Sequence, residues 1–275
     1  MRDYKKVASR YGTNDDLIAL FDAAHRRDMH VILDLVPGHT SEEHEWFHRS
    51  CKVERNNYSD RYIWTDSWIS GGDGLPFIGG ESPRNGTYIL NFFKCQPALN
   101  YGFAHPERSW QKPALGPDAK ATCDAMVDVM RFWLSRGADG FRVDMADSLV
   151  KKDDEGKPYT IRTWQYMFAR IRPAFPEAAF VSEWGRPEES MAAGFDIKPT
   201  QSAICAVMLY DAKLSQDFAA RLQDEGIFVT GFYYPVVPKG QARIRVQVSA
   251  GHTTEQLDRC IAAFVKIGKE MNVIK

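Results

Sequence analysis

Three short apolar runs constrain this chain more than any other feature. Each ends on charged or polar residues, and helical patterns separate them. They are His30–Val36 (HVILDLV), Gly140–Asp144 (GFRVD) and Ala179–Ser182 (AFVS). Runs of this kind, rich in Val, Ile, Leu and Phe, are typical of a parallel sheet buried under helices. Between them, Leu17, Ile18, Leu20 and Phe21 recur at helical spacing behind Asn14, a good N-cap. A second helix is expected across 118–136, with Met126, Val127, Met130 and Trp133 on one face. A third is expected over roughly 160–172. Alternating strands and helices imply an α/β fold with a parallel sheet.

In such sheets reactive groups gather at the carboxyl ends of the strands. The first run supplies Asp34 and then His39. The second supplies Arg142 and Asp144, and the third is followed by Glu183 and Trp184. Period-2 alternation puts Arg142 and Asp144 on one face of the sheet, with Phe141 and Val143 on the other. One carboxylate beside a fixed guanidinium, and a second one strand over, suit a retaining glycosidase, whose two carboxyls stand about 5–5.5 Å apart. The Arg142 cation is expected to lower the pKa of Asp144 and keep it ionised as a nucleophile. Glu183, flanked by Phe180, Val181 and Trp184, is expected to be partly desolvated and to keep its proton as general acid. The same charges would also stand, solvated, at the strand ends of any α/β protein.

The chain has 275 residues, a prior of one or two domains. Its two ends differ. Residues 1–195 carry 25 basic and 28 acidic groups and all seven Trp, whereas residues 196–275 carry 10 and 8 and no Trp. The total charge of −1 argues against nucleic acid as a partner, which would require a basic face. No run of 18 apolar residues suggests a membrane partner, and no apolar stretch follows MRDYKK to make a signal peptide. Cys51, Cys95, Cys123, Cys205 and Cys260 are odd in number and scattered, without a C-x-x-C pair. Reduced thiols and a cytoplasmic location are the expectation. The sequon Asn85-Gly86-Thr87 carries no weight without secretion.

Residues 37–110 form a long polar and aromatic insertion. The window 46–110 holds 13 aromatics in 65 residues, 20% against 12% for the whole chain.

At these residues the sequence resembles the α-amylase family of glycoside hydrolases. Asp34-Leu-Val-Pro-Gly-His39-Thr-Ser41 looks like the family's first signature, and Gly140-Phe-Arg142-Val-Asp144 like the second. Phe180-Val-Ser-Glu183-Trp184 looks like the third, and Gln96-Pro-Ala-Leu-Asn100 like a further signature near the end of the family's inserted domain. Arg10-Tyr-Gly-Thr13 matches the stretch after the second barrel strand. The resemblance implies Asp144 as nucleophile, Glu183 as acid/base, and Asp34, His39 and Arg142 at the substrate. That substrate would be an α-glucan or α-glucoside. It also implies a (β/α)8 barrel with an inserted small domain after barrel strand 3, at about 37–110. The barrel would be incomplete: this chain offers candidates for the third, fourth and fifth strands only, and the family's fourth signature, with its third carboxylate, is absent.

No metal site is expected. Gly38 stands where many amylases carry an Asn that helps hold Ca²⁺, and glycine has no side-chain ligand. His44-Glu45-Trp46-Phe47-His48 spells the H-E-x-x-H zinc motif. Its flanks are charged and polar, and no third ligand is evident.

After residue 195 the sequence changes character. Residues 226–234 and 242–249 read as two strands joined by a turn at Pro235–Gln241. Arg243, Arg245 and Gln247 alternate with apolar residues. Thr253 and Gln256 suit a capping box, ahead of an apolar face of Leu257, Ile261, Phe264 and Val265. The plain reading is a small α+β C-terminal domain with one polar sheet face. An arginine pair there could also grip a substrate carboxylate. This piece resembles the 2-amino-3-ketobutyrate coenzyme A ligases (glycine C-acetyltransferases) of the α-oxoamine synthase family. The likeness runs through Ala203–Met208, Gly231–Gly240 and Gln241–Ala250. It implies the small domain of a pyridoxal-phosphate enzyme, with Arg245 holding the amino-acid carboxylate. The family's Schiff-base lysine, pyridine-binding aspartate and ring-stacking histidine belong to a large domain absent here, so no cofactor is expected. Ala192-Ala-Gly-Phe-Asp196 fits both families, and a join is expected there, by recombination or by misassembly of two genes. The expectation is a glycoside-hydrolase lineage impaired by truncation, with an acyltransferase lineage for residues 196–275 and an inactive hybrid as alternatives.

Overall fold

The computed structural model describes residues 1–194, 204–247 and 251–274. The chain divides into two compact units, Met1–Ile197 and Lys198–Lys275, close to the composition change after residue 195. The join expected at Ala192–Asp196 lies partly outside the described residues.

In the first unit, α1 (Asn14–His25) leads to strand β1 (Ile32–Leu35). The short helix α2 (Glu45–Ser50) and the hairpin β2 (Phe77–Gly79) and β3 (Thr87–Ile89) follow. Then come α3 (Pro117–Leu134), β4 (Gly140–Val143), α4 (Pro158–Ile171), β5 (Ala179–Ser182) and α5 (Pro187–Ala193). Proline opens both α3 and α4, where its fixed φ suits the first turn and its missing N–H costs nothing. Helix α1 starts differently from expectation. Thr13, not Asn14, is the N-cap: its hydroxyl accepts from Asp16 N–H while the Asp16 carboxylate accepts from Thr13 N–H. Asn14 instead accepts from Val7 N–H and donates to the Lys5 carbonyl, pinning the incoming chain.

β1, β4 and β5 form a parallel sheet in the order β1-β4-β5, with Asp34 opposite Arg142 and Arg142 opposite Val181. Gly140 is needed here, since a Cβ at that position would lie 1.9 Å from the Ala179 carbonyl oxygen. One face of the sheet is buried. Phe141, Val143 and Phe180 join Met126 and Met130 of α3 and Trp164, Met167 and Phe168 of α4 in a single apolar cluster. Each such side chain contributes about 1.5–3 kcal/mol on burial. The other face carries Asp34 and Arg142, together with Ile32 at 41% exposure and Val181 at 43%. The strands are therefore not buried on both faces as their composition suggested. Among the described residues of this unit the parallel strands number three, and β1 and β5 are the sheet's edges.

Residues 37–110 share this unit rather than standing apart. Their own cluster, Ile63, Ile89, Ala98 and Phe103, is small. Phe47, Tyr62, Trp64 and Tyr88 pack instead into the cluster that covers the sheet. Trp68, Phe92 and Phe93 are exposed.

The second unit holds β6 (Ile204–Tyr210), α6 (Ala212–Asp224), β7 (Thr230–Phe232), β8 (Ala242–Gln247) and α7 (Thr254–Glu270). Its sheet is antiparallel in the order β6-β8-β7. The first expected strand is present but shorter, over Thr230–Phe232, and the second is present over Ala242–Gln247, with residues 248–250 outside the described residues. The Thr253–Gln256 capping box forms. The buried face of α7 is rotated from the expected one. Ala263, Ile267 and Gly268 face inward, and of the expected face Phe264 packs against Phe218 while Ile261 and Val265 are exposed. No helix among the described residues is long and apolar enough to cross a membrane.

Candidate functional site

The strand ladder continues one residue past β4 and β5, and this places two carboxylates side by side. Asp144 N–H donates to the Leu35 carbonyl and Glu183 N–H to the Val143 carbonyl, each at 2.8 Å. Asp144 and Glu183 are thus fixed at the carboxyl ends of neighbouring strands, with Asp34 one strand further on.

Arg142 gathers all three. Its Nη1 lies 2.8 Å from Asp34 Oδ1 and 2.9 Å from Asp144 Oδ1, and its Nη2 lies 2.9 Å from Glu183 Oε2. Charge-assisted contacts at this distance are among the stronger polar interactions. Solvent moderates them, because Asp34 and Glu183 are more than half exposed.

The electrostatics differ from those expected. Burial pushes the Asp144 carboxyl above its ordinary value. The Arg142 hydrogen bond opposes that rise, and a hydrogen bond to Glu183 and its charge add to it. Arg142 therefore does not win at Asp144, where burial is the largest influence and Glu183 adds to it. Glu183 is not desolvated as expected. Phe180 points into the core at 0% exposure, while Val181 and the Glu183 side chain are open to solvent.

Residues not anticipated complete the site. Met145 adopts the left-handed conformation (φ 44°, ψ 47°), uncommon for a non-glycine residue and costly to hold. Its N–H donates to Glu183 Oε2 at 3.1 Å, and the next N–H, of Ala146, donates to the Glu183 carbonyl. Nothing in the sequence marks a methionine for that conformation. Asp147, on the following 3₁₀ turn, is also raised, by burial and by the nearby charges of Glu183 and Glu189, with Lys157 opposing. Trp184 donates from Nε1 to Glu189 at 2.9 Å, which ties the residue after Glu183 to α5.

His39 lies on the loop after β1 and is 8% exposed. Burial pulls its pKa down to about 4, helped by the chain's amino terminus and Lys151. Its Nδ1 accepts from the Asn91 amide at 3.1 Å, so the neutral ring carries its proton on Nε2. Among the described residues its partners are Asn91, the Tyr4 hydroxyl and the backbone of Ala98, not the carboxylate cluster.

The zinc motif does not assemble. His44 is the N-cap of α2, its Nδ1 accepting from Trp46 N–H, and so does not share a helical face with His48. Among the described residues no group of three His, Cys, Asp or Glu side chains is arranged to hold a metal.

Arg245 lies in the second unit on the exposed face of β8, 5.7 Å from the Phe232 ring. Pyridoxal phosphate requires a desolvated lysine for its Schiff base. The described lysines of this unit, Lys213, Lys239, Lys266 and Lys269, are all exposed, and Lys213 and Lys266 are engaged by Asp217 and Glu225. These residues do not fit the cofactor.

Comparison with known proteins agrees with the two-part reading. Residues 1–195 match the family model for the α-amylase catalytic domain, and residues 182–264 match that for aminotransferase class I and II. The overlap, 182–195, contains Glu183 and part of the expected join. Trehalose synthase/amylase TreS of Mycolicibacterium smegmatis is 38% identical over 231 residues, 80% of this chain and 36% of that protein. The 2-amino-3-ketobutyrate coenzyme A ligase of Escherichia coli K12 is 59% identical over 87 residues, 32% of this chain and 22% of that protein. Among solved structures, trehalose-6-phosphate hydrolase (TreA) of Bacillus licheniformis aligns with a TM-score of 0.54 at 25% identity, over 71% of this chain and 38% of that one. The chain thus spans only 22–38% of the length of these relatives. Two lineages meet in one polypeptide, and through residues 1–195 the chain belongs to the α-amylase family.

Proposed function

We propose that residues 1–195 carry a retaining α-glucosidase or transglucosidase site in impaired form, within an incomplete (β/α)8 barrel. Asp144 is the nucleophile and Glu183 the acid/base, with Asp34, His39 and Arg142 at the sugar. The substrate class is an α-glucan or small α-glucoside, a reading supported by the family and by relatives named trehalose synthase/amylase and oligo-1,6-glucosidase. Free cysteines support a cytoplasmic location.

One observation carries the impairment. Glu183 Oε2 is held by two donors, Arg142 Nη2 and Met145 N–H, while Asp144 is the carboxyl pushed upward. In a retaining site the acid/base must be free to face the glycosidic oxygen and pass it a proton, whereas here Glu183 Oε2 is tied into the Arg142 cluster. An open sheet face also leaves water at the site, which weakens every charge interaction there. Residues 196–275 are a piece of α-oxoamine-synthase lineage with no acyltransfer activity of their own.

The test is hydrolysis of p-nitrophenyl α-glucoside by the purified chain. Negligible turnover is expected. Robust turnover abolished by Asp144→Asn would overturn the impairment while leaving the roles of the residues intact.

A further inference from the structure

Helix α7 of the second unit is covered on one side and carries apolar side chains on the other. Ala263, Ile267 and Gly268 are buried, whereas Ile261 is 61% exposed and Val265 41%. Thr254, Asp258, Ile261, Val265 and Lys269 follow one another at steps of four, three, four and four residues, and all five are exposed. That spacing puts them on one face of the helix, with the two apolar residues at its centre.

The apolar surface continues beside this face. Phe228, 87% exposed, joins Leu257, Ile261, Phe264, Val265 and Ile274 around an open depression of about 1120 Å³. Exposed apolar surface that is contiguous in this way marks an association surface more often than isolated apolar residues do.

The charges along α7 indicate what covers it. Three of them are engaged inside the unit. Arg259 donates to the Glu225 carbonyl, Lys266 pairs with Glu225, and Glu270 pairs with Arg221. Asp258 and Lys269 make no ion pair among the described residues. They bracket Ile261 and Val265, the acid toward the start of the helix and the base toward its end.

A second copy of α7 laid antiparallel satisfies both features. With the two-fold axis beside Ala263, Ile261 of each copy meets Val265 of the other. The same register brings Asp258 of each copy beside Lys269 of the other, at both ends of the seam. A parallel copy would set acid beside acid and base beside base, which is unfavourable.

We infer that this chain self-associates through α7 as an antiparallel two-fold dimer, with Ile261 and Val265 at its centre and Asp258–Lys269 pairs at its ends. Such an interface is isologous and closes, so association stops at two copies. A single helix face lies at the small end of specific interfaces, which sets the expected Kd at about 10–100 µM. The inference does not depend on the Asp144–Glu183 cluster.

The test is sedimentation velocity on the full chain from about 1 to 300 µM, a range that brackets the expected Kd. A reversible monomer–dimer equilibrium is expected. Val265→Glu puts a carboxylate in the apolar centre and should weaken the dimer about tenfold or more. Asp258→Lys faces two bases and should weaken it about fivefold, and adding Lys269→Asp should restore the affinity. Recovery in the double variant cannot come from a folding defect, and it reads the antiparallel register. A chain monomeric throughout this range would overturn the inference. A dimer untouched by Val265→Glu, or a double variant as weak as Asp258→Lys alone, would also overturn it. Growth beyond two copies would assign association to another surface, such as the open strand edges of the first unit, and would overturn it too.

Discussion

Arg142 Nη2 stands 2.9 Å from Glu183 Oε2, while Nη1 of the same guanidinium stands 2.9 Å from Asp144 Oδ1. A single cation therefore binds both carboxyls of the proposed catalytic pair, and Asp34 as well. Because the cation is shared, removing one carboxylate alters the electrostatics of the others.

Glu183→Gln is the cleanest perturbation of that sharing. It deletes a negative charge beside Asp144 and releases part of the guanidinium to it. Both effects favour ionised Asp144, so its pKa falls in the variant. Carboxyl-carbon NMR titration of Asp144 reads this directly. An unchanged or higher midpoint would mean that burial alone governs Asp144.

Arg142→Met leaves three carboxylates facing one another without their cation. The side chain is 39% exposed, so solvent absorbs much of the repulsion. A loss of about 1–2 kcal/mol in unfolding free energy is expected at neutral pH. It should shrink as acid neutralises the carboxylates. Urea denaturation at two pH values checks both the size and the trend.

The parts of this arrangement visible in the sequence are those fixed by period and polarity. GFRVD alternates, so Phe141 and Val143 were placed opposite Arg142 and Asp144, and both are buried. The same logic placed Met126, Met130 and Trp133 on the inner face of α3. What stayed hidden depends on three-dimensional neighbours. Thr13 and Asn14 both suit an N-cap, and only the contact with Val7 and Lys5 decides between them. The apolar stripe of α7 is wider than the face it buries, so pattern alone did not exclude Ile261. β6 and α6 were not anticipated as elements, although part of β6 carried the family likeness. The Asp144 carboxyl is raised because burial and the neighbouring Glu183 outweigh Arg142, a balance set by three-dimensional neighbours rather than by local sequence.

Gly140→Ala tests the closeness of β4 and β5. The added methyl would meet the Ala179 carbonyl oxygen, and backbone cannot swing aside as a side chain does. The two strands must part, loosening the ladder that positions Asp144 and Glu183. A cost of about 2–4 kcal/mol is expected. A change in urea midpoint equivalent to less than about 0.5 kcal/mol would show that the strands are not held at this spacing.

Thiol labelling reports on the same core. Cys123 is fully buried on α3, and burial pushes its thiol up to about 12. Cys95 is exposed. With a maleimide in native buffer, Cys95 should label first and Cys123 only on the timescale of unfolding. Mass spectrometry of peptides at successive times gives the order, and early labelling of Cys123 would mean that the cluster around α3 is not closed.

The acid limb of stability is set by two buried imidazoles. In an unfolded chain histidine protonates near pH 6.5. In the fold, burial first and the nearby amino terminus among lesser causes hold His39 and His44 neutral down to about 4. Between these values the unfolded chain binds more protons than the folded one, so stability increases with pH. Their contribution is complete above about pH 6.5 and is lost as the pH falls toward 4, by at most about 3–4 kcal/mol for each ring. Asp139 acts lower. Its burial raises its pKa, but the Val31 N–H, His25 and His30 outweigh that and leave it lowered, so its contribution persists until the pH falls below about 3.9. A steep loss of urea resistance between pH 6.5 and 4.5 therefore belongs to His39 and His44. The double variant His39→Gln/His44→Asn should flatten that limb and leave the fall below pH 4 in place. An unflattened limb would assign the acid sensitivity to groups other than these two rings.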